Sequence, residues 1–175
     1  MRKTVLLFLL LICIIGCVQK DREESTMEES PVNIANPFIT YGGLEELNAN
    51  SEVPFTSAPE EINGYLPVAY RYAKELNLSE VIYERNEGEK LIIRKTPYYL
   101  NEDNTIADIS GDTNSYDEHG IVDGVDFAFY FSGNNGRYNV LRWDDGISCY
   151  AIVINPGTDN GLNMDLACEL VRSIH

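Results

Sequence analysis

Along most of this chain the apolar positions recur at every second residue. Val68-Ala69-Tyr70-Arg71-Tyr72 alternates, and Val81-Ile82-Tyr83-Glu84-Arg85 is rich in β-formers. Leu91-Ile92-Ile93-Arg94 follows at hairpin distance, after the turn Asn86-Glu87-Gly88. Ile121-Val122 and Val125-Asp126-Phe127 flank Asp123-Gly124, the dipeptide that suits a type I′ hairpin because both its central residues need positive φ. In the next strand Phe127, Phe129 and Phe131 line one face, and Asp126, Ala128 and Tyr130 the other. Gly133-Asn134-Asn135-Gly136 leads to a strand over 138–143. Asp144-Asp145-Gly146 turns into another over 147–154, which Asn155-Pro156-Gly157 stops.

Two segments change period. Leu162, Leu166, Leu170 and Ile174 repeat every four residues and are joined by Ala167 and Val171, which predicts an amphipathic terminal helix capped within 158–161. Gly43-Leu44-Glu45-Glu46-Leu47-Asn48 predicts a short helix with Leu44 and Leu47 on one face. Between them Pro54, Pro59 and Pro67 break a loop that Phe55, Ile62 and Tyr65 can pin to the core. The expected class is α+β: an antiparallel meander sheet of about six or seven strands, with the C-terminal helix and the short N-terminal helix packed on one face. Short hairpin loops favour pairing between sequential neighbours.

The N-terminus follows neither period. Met1-Arg2-Lys3 precedes an unbroken apolar run over 5–15, too short for a bilayer span of about 20 residues. A basic start and a short apolar stretch read as a secretory signal peptide over 1–16. Ile14-Ile15-Gly16-Cys17 resembles the bacterial lipobox, and that resemblance implies diacylglyceryl transfer to Cys17 and cleavage before it. Two acyl chains anchor stably where one binds marginally. From Cys17 to Asn36 the chain is polar and acidic and reads as a tether, reaching roughly 25 Å. A single domain is expected over 37–175.

Composition narrows the function. The chain has 13 Lys+Arg against 28 Asp+Glu, a formal charge of −15; loss of residues 1–16 removes Arg2 and Lys3 and makes it −17. Such a body repels phosphates and is no nucleic-acid binder. Only His119 and His175 offer imidazoles, which excludes His-rich zinc sites.

Several short motifs stand in a fixed order: Asn36-Pro37-Phe38 before Gly43-Leu44-Glu45-Glu46, Val81-Ile82-Tyr83 before Leu91-Ile92-Ile93-Arg94, and Asp108-Ile109-Ser110-Gly111-Asp112 with Tyr116 after it. Gly133-Asn134-Asn135-Gly136 and Trp143-x-x-Gly146-x-x-x-Tyr150 complete the set. Over residues 36–174 they resemble the bacterial domain-of-unknown-function family 4367. The resemblance implies an extracytoplasmic domain of lipoproteins and of the outer parts of membrane proteins, some linked to anti-sigma factors. No transmembrane or sigma-binding segment is evident here, so a direct anti-sigma role is not carried over. The family supplies no catalytic residues to transfer.

Asp108, Asp112, Asn114, Asp117 and Glu118 crowd oxygen ligands into eleven residues, and a Ca²⁺ loop is conceivable. The spacing is not that of an EF-hand, since Tyr116 falls on a ligand position. The competing reading is a turn in which Asp108 and Ser110 accept backbone N–H groups while Gly111 takes positive φ. Paired carboxylates for glycoside hydrolysis need a cleft and a separation of about 5–9.5 Å, yet most acids fall in turns (Asp123, Asp144, Asp145) or in the tether. No G-x-S-x-G motif occurs, and His119 reads as an exposed turn residue. Cys149 on the last strand and Cys168 on the terminal helix could form a disulfide after export, or stay two small buried hydrophobes. The many tyrosines, among them Tyr70, Tyr83 and Tyr150, could stack on a ligand or be half-buried sheet residues; Trp143 reads as a core anchor.

The expected function is that of a membrane-anchored, non-catalytic binding or sensing module on the extracytoplasmic face. It needs no cofactor and engages an envelope protein or cell-surface ligand. The alternatives are an envelope carbohydrate hydrolase using paired carboxylates and a calcium-binding surface protein.

Overall fold

The computed structural model describes residues 36–86, 88–100, 108–111, 118–131, 138–155 and 162–174. Strands β1 (Ile39–Tyr41), β2 (Leu66–Ala73), β3 (Leu78–Arg85), β4 (Glu89–Pro97), β5 (Glu118–Val122), β6 (Val125–Phe131), β7 (Tyr138–Asp144) and β8 (Ser148–Asn155) form one sheet in the order β1-β2-β3-β4-β8-β7-β6-β5. Every neighbouring pair is antiparallel. Helix α1 (Leu44–Asn50) follows β1, and α2 (Met164–Ser173) closes the chain.

The α+β class, the antiparallel sheet and the C-terminal helix agree with the sequence pattern, and two details are corrected. The sheet has eight strands, because Ile39–Tyr41 pairs with Tyr72–Tyr70 over three residues, too few to display a period. Pairing is also not sequential throughout. β4 pairs with β8 from Lys90↔Asn155 to Pro97↔Ser148, so the sheet is two four-stranded meanders joined edge to edge. The segment between β4 and β5 is a long connection rather than a tight turn, which frees β4 for a more distant partner. β8 is buried from Ser148 to Ile152, as a central strand covered on both faces should be.

Alternation sorts the sheet into two faces. Val81, Ile93, Ile152, Leu141 and Phe129 stand opposite one another in turn across five strands and belong to the core. Leu47 of α1, Ala167, Leu170 and Val171 of α2, and Ile174 just after it close over that same core, and Val53, Phe55, Ile62 and Tyr65 of the proline-broken loop fill the space between. Each such buried aliphatic side chain contributes about 1.5–3 kcal/mol. The cap of α2 is Asn163, whose side chain accepts the Leu166 N–H at 2.9 Å; Asp165 in the first turn and Arg172 in the last suit the helix dipole. Tyr72, Tyr83 and Tyr150 are buried in this core, more deeply than half-buried sheet residues would be.

Of the two readings of Cys149 and Cys168, the bridge is not made: both are free thiols. Tyr150 and Ile152 face the helices, so Cys149, one position out of phase, points to the opposite side of the sheet, while Cys168 packs on the core from α2. Trp143 anchors the core as expected, stacked on Tyr150 with ring centroids 5.0 Å apart and planes at 7°.

At one edge of the sheet the Phe127 ring lies over Gly120, its cross-strand partner; a Cβ on Gly120 would stand 2.3 Å from Cζ of that ring. Gly120→Ala should therefore push a buried aromatic out of place and cost about 1–3 kcal/mol, read as a lower urea midpoint at unchanged m-value.

Candidate functional site

The face of the sheet away from the helices carries a row of paired residues across all eight strands: Thr40, Arg71, Glu80, Arg94, Ala151, Arg142, Ala128 and His119. Glu80 is completely buried in this row. Its Oε1 accepts from Arg71 Nη2, and its Oε2 accepts from Arg94 Nε at 3.2 Å. Removing a carboxylate from water is unfavourable by several kcal/mol, and two guanidinium groups offset it here. Arg71 also lies over the Phe38 ring at 4.7 Å, a cation–π contact that keeps it over the sheet.

Arg94 reaches beyond the sheet. Its Nη1 donates to the carbonyls of Ile109 (3.1 Å) and Ser110. Arg142 Nη1 stands 3.8 Å from Asp108 Oδ2. Residues 108–111 thus lie across the polar face, fastened by the arginine row. Within them Asp108 Oδ1 accepts the Ser110 N–H at 2.9 Å and Gly111 has φ +75°. These are the features of the turn reading of this motif. Gly111 is required twice over, by its φ and because a Cβ would stand 2.6 Å from Arg94 Nη1.

Of the other candidate cation ligands, Asp112, Asn114 and Asp117 lie outside the described residues, and Glu118 is exposed at the start of β5. Among the described residues no group of three or more His, Cys, Asp or Glu is placed to hold a metal. Cys17 also lies outside the described residues.

Beside this turn, residues of β5, β6, β7 and β8, among them His119, Asp126, Arg142, Trp143 and Tyr150, line a cleft of about 110 Å³. His119 Nδ1 is 3.3 Å from Asp126 Oδ1, and both side chains are more than half exposed. The volume falls below the roughly 300–1,000 Å³ of a small-molecule pocket and suits a single side chain.

A larger space lies in the helix layer. Residues 57–63 and α2 form an open trough of about 760 Å³. Leu166, partly exposed, is its apolar contact, Ile62 and Leu170 behind it are already buried in the core, and Glu61, Asp165 and Glu169 give it an acidic rim. The Ser57 hydroxyl donates to the Ser173 carbonyl, and the Tyr83 hydroxyl donates to the Pro59 carbonyl at 2.8 Å, so both the loop wall and its seat on the sheet are fixed. Sequence reasoning missed this trough. Its walls are separated by about a hundred residues, and one of them has no period; the only signal was the acidic outer face of the terminal helix.

The β7–β8 turn holds Asp145, an exposed carboxylate within electrostatic reach of Lys95. Asp145 Oδ1 accepts the Ile147 and Ser148 N–H groups at 2.9 and 2.7 Å, and Oδ2 accepts the Tyr150 hydroxyl at 3.0 Å. Burial pushes the Asp145 carboxyl up, but these hydrogen bonds and the Lys95 charge outweigh it and hold it below the ordinary aspartate range. Burial pushes the Tyr150 hydroxyl up, and the Asp145 charge adds to that. Lys95 donates to the Pro54 carbonyl at 2.8 Å, and burial lowers its ammonium against the opposing pull of Asp145.

No protein-family model, no curated protein and no solved structure matches the chain. The resemblance to family 4367 expected from the sequence gains no support from these comparisons, and two of the motifs behind it are local structural units. Asp108-Ile109-Ser110-Gly111 is the clamped turn; Trp143, Gly146 and Tyr150 are a stacked pair around a turn with φ +78° at the glycine.

Glu80→Gln should leave two guanidinium groups facing a neutral amide and lower stability by about 3 kcal/mol in urea denaturation. Asp145 has a depressed folded pKa, so its contribution is complete above the unfolded aspartate value and is lost as pH falls through the lower folded value. In Asp145→Asn the fall of the urea midpoint below about pH 4 should be shallower than in the wild type.

Proposed function

We propose that the protein is an extracytoplasmic module moored to the cell membrane by lipid on Cys17, where it binds an envelope protein or cell-surface ligand without catalysing a reaction. The mooring is supported by Ile14-Ile15-Gly16-Cys17 at the end of the apolar run. The observation that carries binding is the trough against α2: an open, acid-rimmed hollow with the partly exposed Leu166 in its lining. Such a surface suits a cationic chain segment, whose Lys or Arg groups meet Glu61, Asp165 and Glu169 while an apolar side chain packs on Leu166. The excess of acids over the whole chain draws a cationic partner from a distance.

The test uses the intact acylated protein in its own membranes. Chemical crosslinking should capture a partner with the wild type, lose it with the double variant Glu61→Lys, Glu169→Lys, and keep it with Lys90→Glu on the opposite side of the sheet. Rising salt should weaken the capture. Cys17→Ala should leave the chain unacylated and free of the membrane. Turnover of an envelope glycan by the purified protein, abolished by replacing one pair of carboxylates, would replace this reading with a hydrolase.

A further inference from the structure

One end of the sheet gathers the entry of β1, the β2–β3 turn, the exit of β4 and the β7–β8 turn. Ile39 opens β1 opposite Tyr72, near the end of β2. Leu76 sits in the 3-10 turn Lys74–Leu76, Tyr98, Tyr99 and Leu100 follow β4, and Ile147 lies in the β7–β8 turn. The Tyr98 N–H donates to the Ile147 carbonyl at 2.8 Å, and the Thr96 hydroxyl donates to the Asn77 carbonyl at 3.0 Å, so the β4 exit is fixed between the two turns. All six large apolar side chains are exposed, Ile147 at 78%, Leu76 at 56% and Tyr99 at 49%. Leu66 and Val68, exposed on β2, lie toward its other end.

The chain enters the domain at this same end. β1 runs antiparallel to β2, so the described chain starts, at Asn36, beside the end of β2 and not beside its start. A tether from Cys17 to Asn36 reaches roughly 25 Å. A lipid on Cys17 therefore holds these apolar tips near the bilayer, at an effective concentration of millimolar order.

We propose that this end of the sheet rests on the lipid surface, with Leu76, Tyr98, Tyr99, Leu100 and Ile147 entering the interfacial layer. The occupant is lipid and not protein, because the anchor presents this end to a bilayer before any other surface. Aliphatic tips and tyrosines are the side chains that such a layer accepts. The contact is apolar and opposed by charge: a body with a net charge of −17 after loss of residues 1–16 is repelled by anionic headgroups. It is therefore strongest on zwitterionic lipid and strengthened by salt, the reverse of a basic peripheral protein. The inference rests on acylation of Cys17.

The test places a tryptophan at the tips. Full-length acylated protein carrying Tyr99→Trp is reconstituted into phosphatidylcholine vesicles containing a shallow nitroxide-labelled phosphatidylcholine. The added emission should be quenched about twofold or more, while Lys90→Trp at the opposite end of β4 should not be quenched. Adding Leu76→Ser and Ile147→Ser to the Tyr99→Trp chain should restore the emission; both positions are exposed, so the fold tolerates the change. Replacing part of the neutral lipid with phosphatidylglycerol should reduce quenching, and salt should recover it. Mass measurement reads the acyl groups on the same sample. Acylated protein with no quenching at position 99, or with equal quenching at 90 and 99, overturns the docking alone. Protein without acyl groups overturns the anchor and the docking together.

Discussion

The ladder between β4 and β8 turns two separate ribbons into one sheet. Each four-stranded meander could form by local hairpins, but neither is wide enough to carry both helices. Joining them at Lys90↔Asn155 through Pro97↔Ser148 brings Ile93 beside Ile152 and gives α1, α2 and the loop over 53–65 a common floor. The same ladder fixes the other face. It sets Arg94 beside Ala151, and Ala151 beside Arg142, so two arginines from different ribbons flank a small residue over which residues 108–111 can lie. A one-residue slip here would turn Arg94 into the core and Ile93 out of it.

The two faces do different work. The helix-covered face is apolar, with Lys95 on its border held by the Pro54 carbonyl and the Phe55 and Tyr150 rings. The other face is ordered by charge. Buried Glu80 fixes Arg71 and Arg94, and Arg94 passes the constraint to backbone carbonyls of the long connection. The trough arises at neither face but on the outer side of the helix layer, where the solvent-facing acids of α2 meet an aperiodic loop.

What the sequence discloses follows the range of the interactions involved. Period two marks the strands because one face of each is buried. Asp123-Gly124 marks its hairpin because positive φ is a local demand, met here at φ 51° and 86°. The four-residue spacing marks α2 because a single helix carries its own stripe. Long-range choices leave no such trace. Nothing in Leu91-Ile92-Ile93 distinguishes β5 from β8 as a partner. Cys149 and Cys168 look compatible until the register of Tyr150 places the first of them on the wrong side. Glu80 reads as an ordinary polar position in a strand, and only the neighbours that the sheet supplies make it a buried ion-pair centre.

The clamp on residues 108–111 shows how one side chain can join local and distant order. Arg94 cannot release the Ile109 and Ser110 carbonyls without leaving two acceptors and part of its own fork to water, and it cannot move toward them without loosening Glu80. Gly111 closes the remaining gap, since any larger residue would displace that guanidinium. The turn is therefore a part of the sheet's polar layer and not an appended loop. Two of its residues are accounted for by this seat: Asp108 by the Ser110 N–H and Arg142, and Gly111 by contact with Arg94.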